Sequence, residues 1–289
     1  MNAIKISFLM LALMAIFVMV GYSFGGQGGM IIALVLAVAM NFFTYWFSDK
    51  VVLKMYRARE IQENDHPRLY RTVRRVVQAA QAPMPKVCII PGRAPNAFAT
   101  GRNPDNAAVA VTEGMLEMLT EDELEGVIGH EMAHILNRDM LIGTIAATFA
   151  GAIGVLASIA RWGAIFGGFS RGDDRDGGIV GILVAAFVAP LMAMVLQMAI
   201  SRQREYKADF TGGRITGKPL ALASALAKLQ RAPTRTLFSR NRATANLMIV
   251  NPLSGKGIMS WFSTHPPIEK RIERLKKQAK EEPYQSYAG

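Results

Sequence analysis

Four stretches of this chain, residues 6–24, 30–47, 140–160 and 177–201, contain no charged residue and are almost wholly apolar. Each approaches or exceeds the ~20 residues that a helix needs to cross a hydrocarbon core. Inside such a core the backbone must satisfy its own hydrogen bonds, so a chain built this way is confined to helices there. The composition agrees. Hydrophobic residues make up 51% of the 289 and charged residues only 19%, too apolar a balance for an ordinary soluble enzyme. The reading is a mainly α, multi-pass membrane protein with four hydrophobic helices. The first run has only Lys5 before it, no small-x-small cleavage site after it, and a second run close behind. It is therefore expected to stay as an anchor rather than be removed as a signal.

Charge placement sets the orientation. The segment 25–29 between the first two runs is uncharged, whereas Lys50, Lys54, Arg57 and Arg59 follow the second. Lys and Arg favour the cytoplasmic side, which puts the N-terminus and residue 50 onward in the cytoplasm. Residues 161–176 join the last two runs and carry three Arg and three Asp, and Arg202, Arg204 and Lys207 follow the fourth. This suits a Gly- and Ala-rich hairpin that returns to the cytoplasm, with Pro190 kinking its second arm. A net charge of +11 could suit a nucleic-acid binder, but no basic motif interleaved with aromatics is present, so nucleic acid is excluded as a partner. The single Cys88 rules out an intrachain disulfide and fits a reducing compartment.

Between the apolar runs the pattern changes. Asp65-His66-Pro67 starts a basic amphipathic helix over 68–81, which accounts for His66 as structure. Residues 86–90 and 107–112 read as short strands. Thr120 with Glu123 three residues on is a capping box. The helix that it opens runs through His130-Glu131-Met132-Ala133-His134, the pattern H-E-x-x-H. On a helix, positions i and i+4 share a face, so His130 and His134 can reach one metal ion, with Glu131 beside them as a base for a metal-activated water. The chain has four histidines, and two of them fall within these five residues.

A catalytic zinc usually takes three protein ligands and keeps one position open. The third could be His66, His265 or a carboxylate. Glu205 is the best carboxylate. It lies just past the fourth apolar run as His130 lies just before the third, and an antiparallel hairpin makes its two ends neighbours. Asp209, one turn further on, can take a hydrogen bond from a ligand imidazole and fix its tautomer. The bland alternative has Glu205 and Asp209 paired with nearby Arg and Lys on a solvated helix. Zinc is favoured by the ligand set, although manganese, cobalt or iron also bind two His and a carboxylate.

H-E-x-x-H, a hydrophobic hairpin, then Ser201-Arg202 through Glu205 to Ala208-Asp209, and a late His265-Pro266-Pro267 together resemble the HtpX family of bacterial membrane zinc metalloproteases, relatives of the CAAX-prenyl endopeptidases. The resemblance implies a zincin-like (gluzincin) domain with a small β-sheet. It makes His130, His134 and Glu205 the ligands of one Zn²⁺, Glu131 the catalytic base and Asp209 the partner of a ligand imidazole. Asn96, Ala97 and Phe98 match the family's N-A-F-A stretch, an edge onto which extended substrate can add. His265 is expected to serve the oxyanion, with Arg271 supporting that charge. The implied organisation is two anchoring helices over 1–48 and a protease domain over 49–289, interrupted by the hairpin 140–201. The implied setting is the bacterial inner membrane with the active site facing the cytoplasm, and the implied substrates are damaged or misfolded membrane proteins. Rival readings are a CAAX-type processing protease with one substrate and a metal-binding membrane scaffold without activity. Oligomeric state is not legible.

Overall fold

The computed structural model describes residues 2–140, 202–232 and 266–281. These fall into two compact units, one up to Trp46 and one from Phe47 onward. Helix α1 (Asn2–Met55), whose residues up to Trp46 belong to the first unit, is interrupted at Gly25 and Gly26, whose backbone angles leave the helical region. Gly26 sits at φ 55°, a conformation that other residues adopt only at a cost. The chain folds back there. Asn41 Nδ2 donates to the carbonyl of Met10 at 3.1 Å, and Gly21 faces Ala33 and the backbone of Gly29. The segment 25–29 thus leaves the helix at two residues only, and the helix resumes before Met30.

Residues Gly25–Phe47 form one helix long and apolar enough to cross a membrane, and Met10–Tyr22 is a shorter apolar segment. Phe8, Leu11, Ile31, Val35, Phe42 and Phe43 are exposed. An apolar surface of this kind marks contact with lipid or with another apolar partner. The apolar runs 140–160 and 177–201 lie outside the described residues except for Met140.

The second unit is mostly helical around one small sheet. Helix α2 (Pro67–Ala79) starts with the ring of His66 accepting from Leu69 N–H at 3.2 Å and with Pro67 in its first turn. The histidine set aside in the sequence is therefore a helix cap. Four strands, β1 (Arg59–Glu60), β2 (Lys86–Ile90), β3 (Ala97–Gly101) and β4 (Ala107–Thr112), lie in the order β1-β2-β4-β3. β2 and β4 are parallel, while β1 and β3 run antiparallel at the two edges. The two expected strands are β2 and β4. β3 occupies the N-A-F-A stretch, and β1 is too short for periodicity to reveal.

Thr112 N–H donates to the carbonyl of Asn96 at 2.9 Å, so pairs alternate down the β3–β4 ladder from there. Phe98 and Thr100 spend their backbone on β4, while Ala97, Ala99 and Gly101 turn theirs outward. Side chains alternate as well. Ala97 and Ala99 enter the main core with Val109 and Val111, whereas Phe98 packs with Cys88, Ile90 and Ala110 on the other face.

Short helix α3 (Glu113–Met118) leads into α4 (Glu121–Asn137). Thr120 and Glu123 form the expected capping box, with Thr120 N–H donating to Glu123 Oε2 at 2.8 Å. Glu121, Asp122 and Glu123 in the first turn complement the helix dipole. Leu124, Val127, Ile128, Met132 and Ile135 are all at most 1% exposed. Each contributes roughly 1.5–3 kcal/mol by leaving water. α4 is thus the central rod, enclosed by β3, α2, α5 (Arg202–Thr216) and α6 (Pro219–Arg231). The last helix, α7 (Ile268–Glu281), closes over α5 and α6.

Two glycines set the spacing of α4 and α5. A Cβ on Gly212 would lie 2.6 Å from His130 N and 2.8 Å from the carbonyl carbon of Gly129. One on Gly129 would lie 2.6 Å from Thr216 Cγ2 and 3.0 Å from the carbonyl oxygen of Gly212. Backbone cannot give way as a side-chain tip can, so any larger residue must push the helices apart. Gly212→Ala is expected to destabilise the second unit by ~1–3 kcal/mol, read as a lower thermal unfolding midpoint of the purified chain. An unchanged midpoint would contradict the close approach.

Candidate metal centre

The metal motif lies on the buried middle of α4, and its partners come from the first turns of α5. His130 is 1% exposed and Glu131 4%. Glu205 Oε2 lies 3.7 Å from His130 Nε2, and Glu205 Oε1 lies 3.6 Å from His134 Nε2. The two Nε2 atoms are 3.2 Å apart. One donor atom from each of His130, His134 and Glu205 fits within 4.8 Å of the others.

The outer nitrogens of both rings face carboxylates. His130 Nδ1 lies 3.0 Å from Asp209 Oδ1, and His134 Nδ1 lies 3.4 Å from Asp139 Oδ2. A carboxylate accepts, so in the neutral ring it favours the proton on Nδ1 and leaves Nε2 as a lone pair. Two lone pairs and a carboxylate converging at this range repel one another unless a cation lies among them. The donor set, two imidazole nitrogens and one carboxylate, suits a borderline divalent metal.

Asp209 is itself held. Arg271 from α7 is fully buried and grips it with Nε at 2.8 Å to Oδ2 and Nη2 at 2.7 Å to Oδ1. Arg271 Nη1 also lies 3.7 Å from Glu205 Oε2. Burial works against a charged Asp209, but the Arg271 charge and hydrogen bond outweigh it and hold the carboxyl at about 2. Burial pushes Glu131 up to about 7, with the Glu205 charge adding and the His134 charge and an Ala99 N–H hydrogen bond opposing. For His134 burial disfavours the proton, yet the Asp139 hydrogen bond and the charges of Glu205 and Glu131 raise it to about 9. His130 is lowered, by burial first, against its bond to Asp209.

The contact between Ala99 and Glu131 ties sheet to site. The outward edge of β3 faces α4, and the Ala99 backbone N–H favours the charged form of Glu131. A buried H-E-x-x-H pair, a carboxylate from α5 and an edge strand alongside form the anatomy that metal-assisted peptide hydrolysis needs.

The comparisons with known proteins agree with that anatomy. The sequence pattern described as Peptidase family M48 matches residues 63–279. The chain belongs to peptidase family M48. Within M48 its relatives include the "Protease HtpX homolog" of Desulfatibacillum aliphaticivorans, 56% identical over 95% of this chain and 89% of that one. The protein of the same name from Pyrococcus furiosus is 54% identical over 96% of both chains. The crystal structure of S. mikatae Ste24p shares the fold, with a TM-score of 0.54 at 20% identity, over 91% of this chain and 62% of that one. This M48 chain is therefore a protease of the HtpX kind, a membrane-associated metalloprotease.

The M48 frame sorts the residues singled out from sequence. His130, Glu131, His134, Glu205 and Asp209 come together, as do Ala97 and Ala99 along the outward edge. Asn96 is buried, with its N–H donating to Thr112 Oγ1 at 2.8 Å. Phe98 is 1% exposed, and its ring packs 5.2 Å from that of Tyr56. Its side chain supports the strand from the far face. Arg271, read from sequence as a support for the substrate's charge, has its guanidinium on Asp209 inside the protein. His265 lies outside the described residues, although Pro266 and Pro267 lead directly into α7. Asp139 and Arg204 were not anticipated. Arg204, next to Glu205, is partly buried, which lowers it, while attraction to Asp139 and Glu205 opposes that shift.

A metal needs neutral imidazoles, so its binding must displace the His134 proton. Because His134 is raised to about 9, it is charged in the metal-free chain at neutral pH. Metal affinity is therefore expected to rise by about tenfold per pH unit up to about pH 9 and then to flatten. Calorimetry in buffers of different ionisation enthalpy should report roughly one proton released per metal at pH 7. Binding without proton release would contradict the assigned protonation of His134.

Proposed function

We propose that this chain is a zinc-dependent endopeptidase of the bacterial inner membrane that cleaves damaged or misfolded membrane proteins, and others near that membrane, on the cytoplasmic side. The observation that carries the reading is the convergence of His130, His134 and Glu205 beside Glu131 and an edge strand. We assign residues 1–48 as the anchor and 49–289 as the protease domain, interrupted by a hydrophobic hairpin over 140–201, giving four hydrophobic helices in all. The uncharged segment 25–29 against Lys50, Lys54, Arg57 and Arg59 supports the cytoplasmic orientation.

Zn²⁺ held by His130, His134 and Glu205 would supply Lewis acidity, acidifying a water and polarising the scissile carbonyl. Glu131 is the general base. Its carboxyl, raised to about 7 by burial, is poised to take a proton from the attacking water and return it to the leaving amine near neutral pH. Ala99 N–H and the dry surroundings hold that carboxylate in place. Substrate adds to β3 as a further antiparallel strand through the outward backbone groups of Ala97 and Gly101, which aligns the peptide without reading its side chains. Asn96 and Phe98 keep this edge in position. Such backbone recognition suits a protease whose substrates share extended, unfolded segments rather than a sequence. His265, assigned from the family resemblance, donates to the developing oxyanion. Arg271 acts through Asp209, fixing the orientation of His130.

Glu131→Gln keeps the shape and the ligands but cannot accept the proton. Zinc content of the purified, detergent-solubilised variant should equal that of the unchanged chain, while cleavage of an unfolded probe such as casein falls by roughly 10²–10⁴-fold. Cleavage at the original rate would sink the role of Glu131. Inverted membrane vesicles should cleave the added probe, and intact spheroplasts should not.

A further inference from the structure

We propose that Asp139 is a positioning residue for the metal site, holding the ring of His134 so that Nε2 faces the ion. Nothing in the H-E-x-x-H pattern assigns it. On an unbroken helix, residue i+5 lies well off the face of residue i, so Asp139 would point away from His134. The chain does not continue as a helix there. α4 stops at Asn137, and Arg138 adopts a left-handed conformation, φ 56° and ψ 34°, with its N–H bonded to the carbonyls of His134 and Ile135. This turn swings Asp139 back until Oδ2 lies 3.4 Å from His134 Nδ1. A left-handed backbone is unfavourable for a non-glycine residue, and here its product is the contact with the ligand ring.

Burial and charge fit the assignment. The Asp139 side chain is 8% exposed and that of His134 16%. Arg204 sits next to Glu205 in α5 and is attracted to both Asp139 and Glu205, so the carboxylate is not left alone against the metal ligands. The two ligand histidines are therefore supported in the same way from opposite ends of the site. Asp209 holds Nδ1 of His130, and Asp139 holds Nδ1 of His134. Asp139 and Arg204 also flank the segment 140–201 in sequence.

The proposal rests on His130, His134 and Glu205 being the metal ligands. Its test measures zinc affinity by chelator competition and the visible spectrum of the cobalt-loaded chain, using the full-length protein in detergent. Asp139→Ala should weaken zinc binding by roughly 10–100-fold and shift the cobalt bands. Asp139→Asn keeps an oxygen that can accept from Nδ1–H but not the charge, so its loss should be smaller than that of Asp139→Ala. His134→Ala should lose stoichiometric zinc. If Asp139→Ala and Asp139→Asn bind zinc as tightly as the unchanged chain while His134→Ala does not, the role of Asp139 is overturned and the ligand assignment stands. If His134→Ala binds zinc normally, the ligand assignment falls, and this proposal falls with it. Should Asp139→Ala fail to fold, Asp139→Asn decides alone, and unchanged affinity and spectrum overturn the proposal.

Discussion

The contact between α4 and α5 at Gly129 and Gly212 is what the metal centre depends on. Neither helix carries the whole site. α4 brings His130, Glu131 and His134, and α5 brings Glu205 and Asp209. The two sets meet only because the helices pass with backbone against backbone, closer than any Cβ would allow. Gly212 lies against His130 N itself, so the spacing is set at the first ligand rather than at a distance from it. Helices that meet through side chains pack ~8–10 Å apart. A carboxylate carried at that distance would reach the imidazoles only in a more extended and less restrained rotamer.

Around this contact the structure spends charge where it is costly. Arg271 and Asp209 are both buried, and each charge taken from water costs several kcal/mol before pairing. The bidentate geometry offsets that cost, but a well-packed apolar pair could do as much for stability. The ion pair makes sense as an orienting device. It keeps Asp209 ionised, and an ionised Asp209 keeps the proton of His130 on Nδ1. The outer charges on α4 are spent differently. Lys228 on Glu123 and Lys218 on Glu125 link α4 to α6 and its N-terminal cap, tying the rod to its neighbours where water still reaches.

Much of this was legible in the sequence because it is local or periodic. The Thr120–Glu123 box, the shared face of His130 and His134, and strands β2 and β4 all follow from short-range patterns. Glu205 was reachable by topology, since an antiparallel hairpin over 140–201 would return near where it began. Asp139 was not legible, because helical spacing puts it on the wrong face and only the left-handed Arg138 reverses that. The burial of Arg271 was hidden for a related reason. Its partner lies 62 positions away, and a basic helix such as 268–281 gives no sign of which cation turns inward. His265 and most of the two later apolar runs lie outside the described residues.

X-ray absorption at the zinc edge of the purified, zinc-loaded chain reads whether three side chains from two helices hold one zinc. The expected first shell is two imidazole nitrogens at ~2.0–2.1 Å and carboxylate or water oxygen at ~2.0–2.2 Å, with no sulfur, and Glu205→Ala should lose one oxygen ligand. A sulfur shell near ~2.3 Å, which only Cys88 or a methionine could supply, or a first shell unchanged by Glu205→Ala, would contradict it.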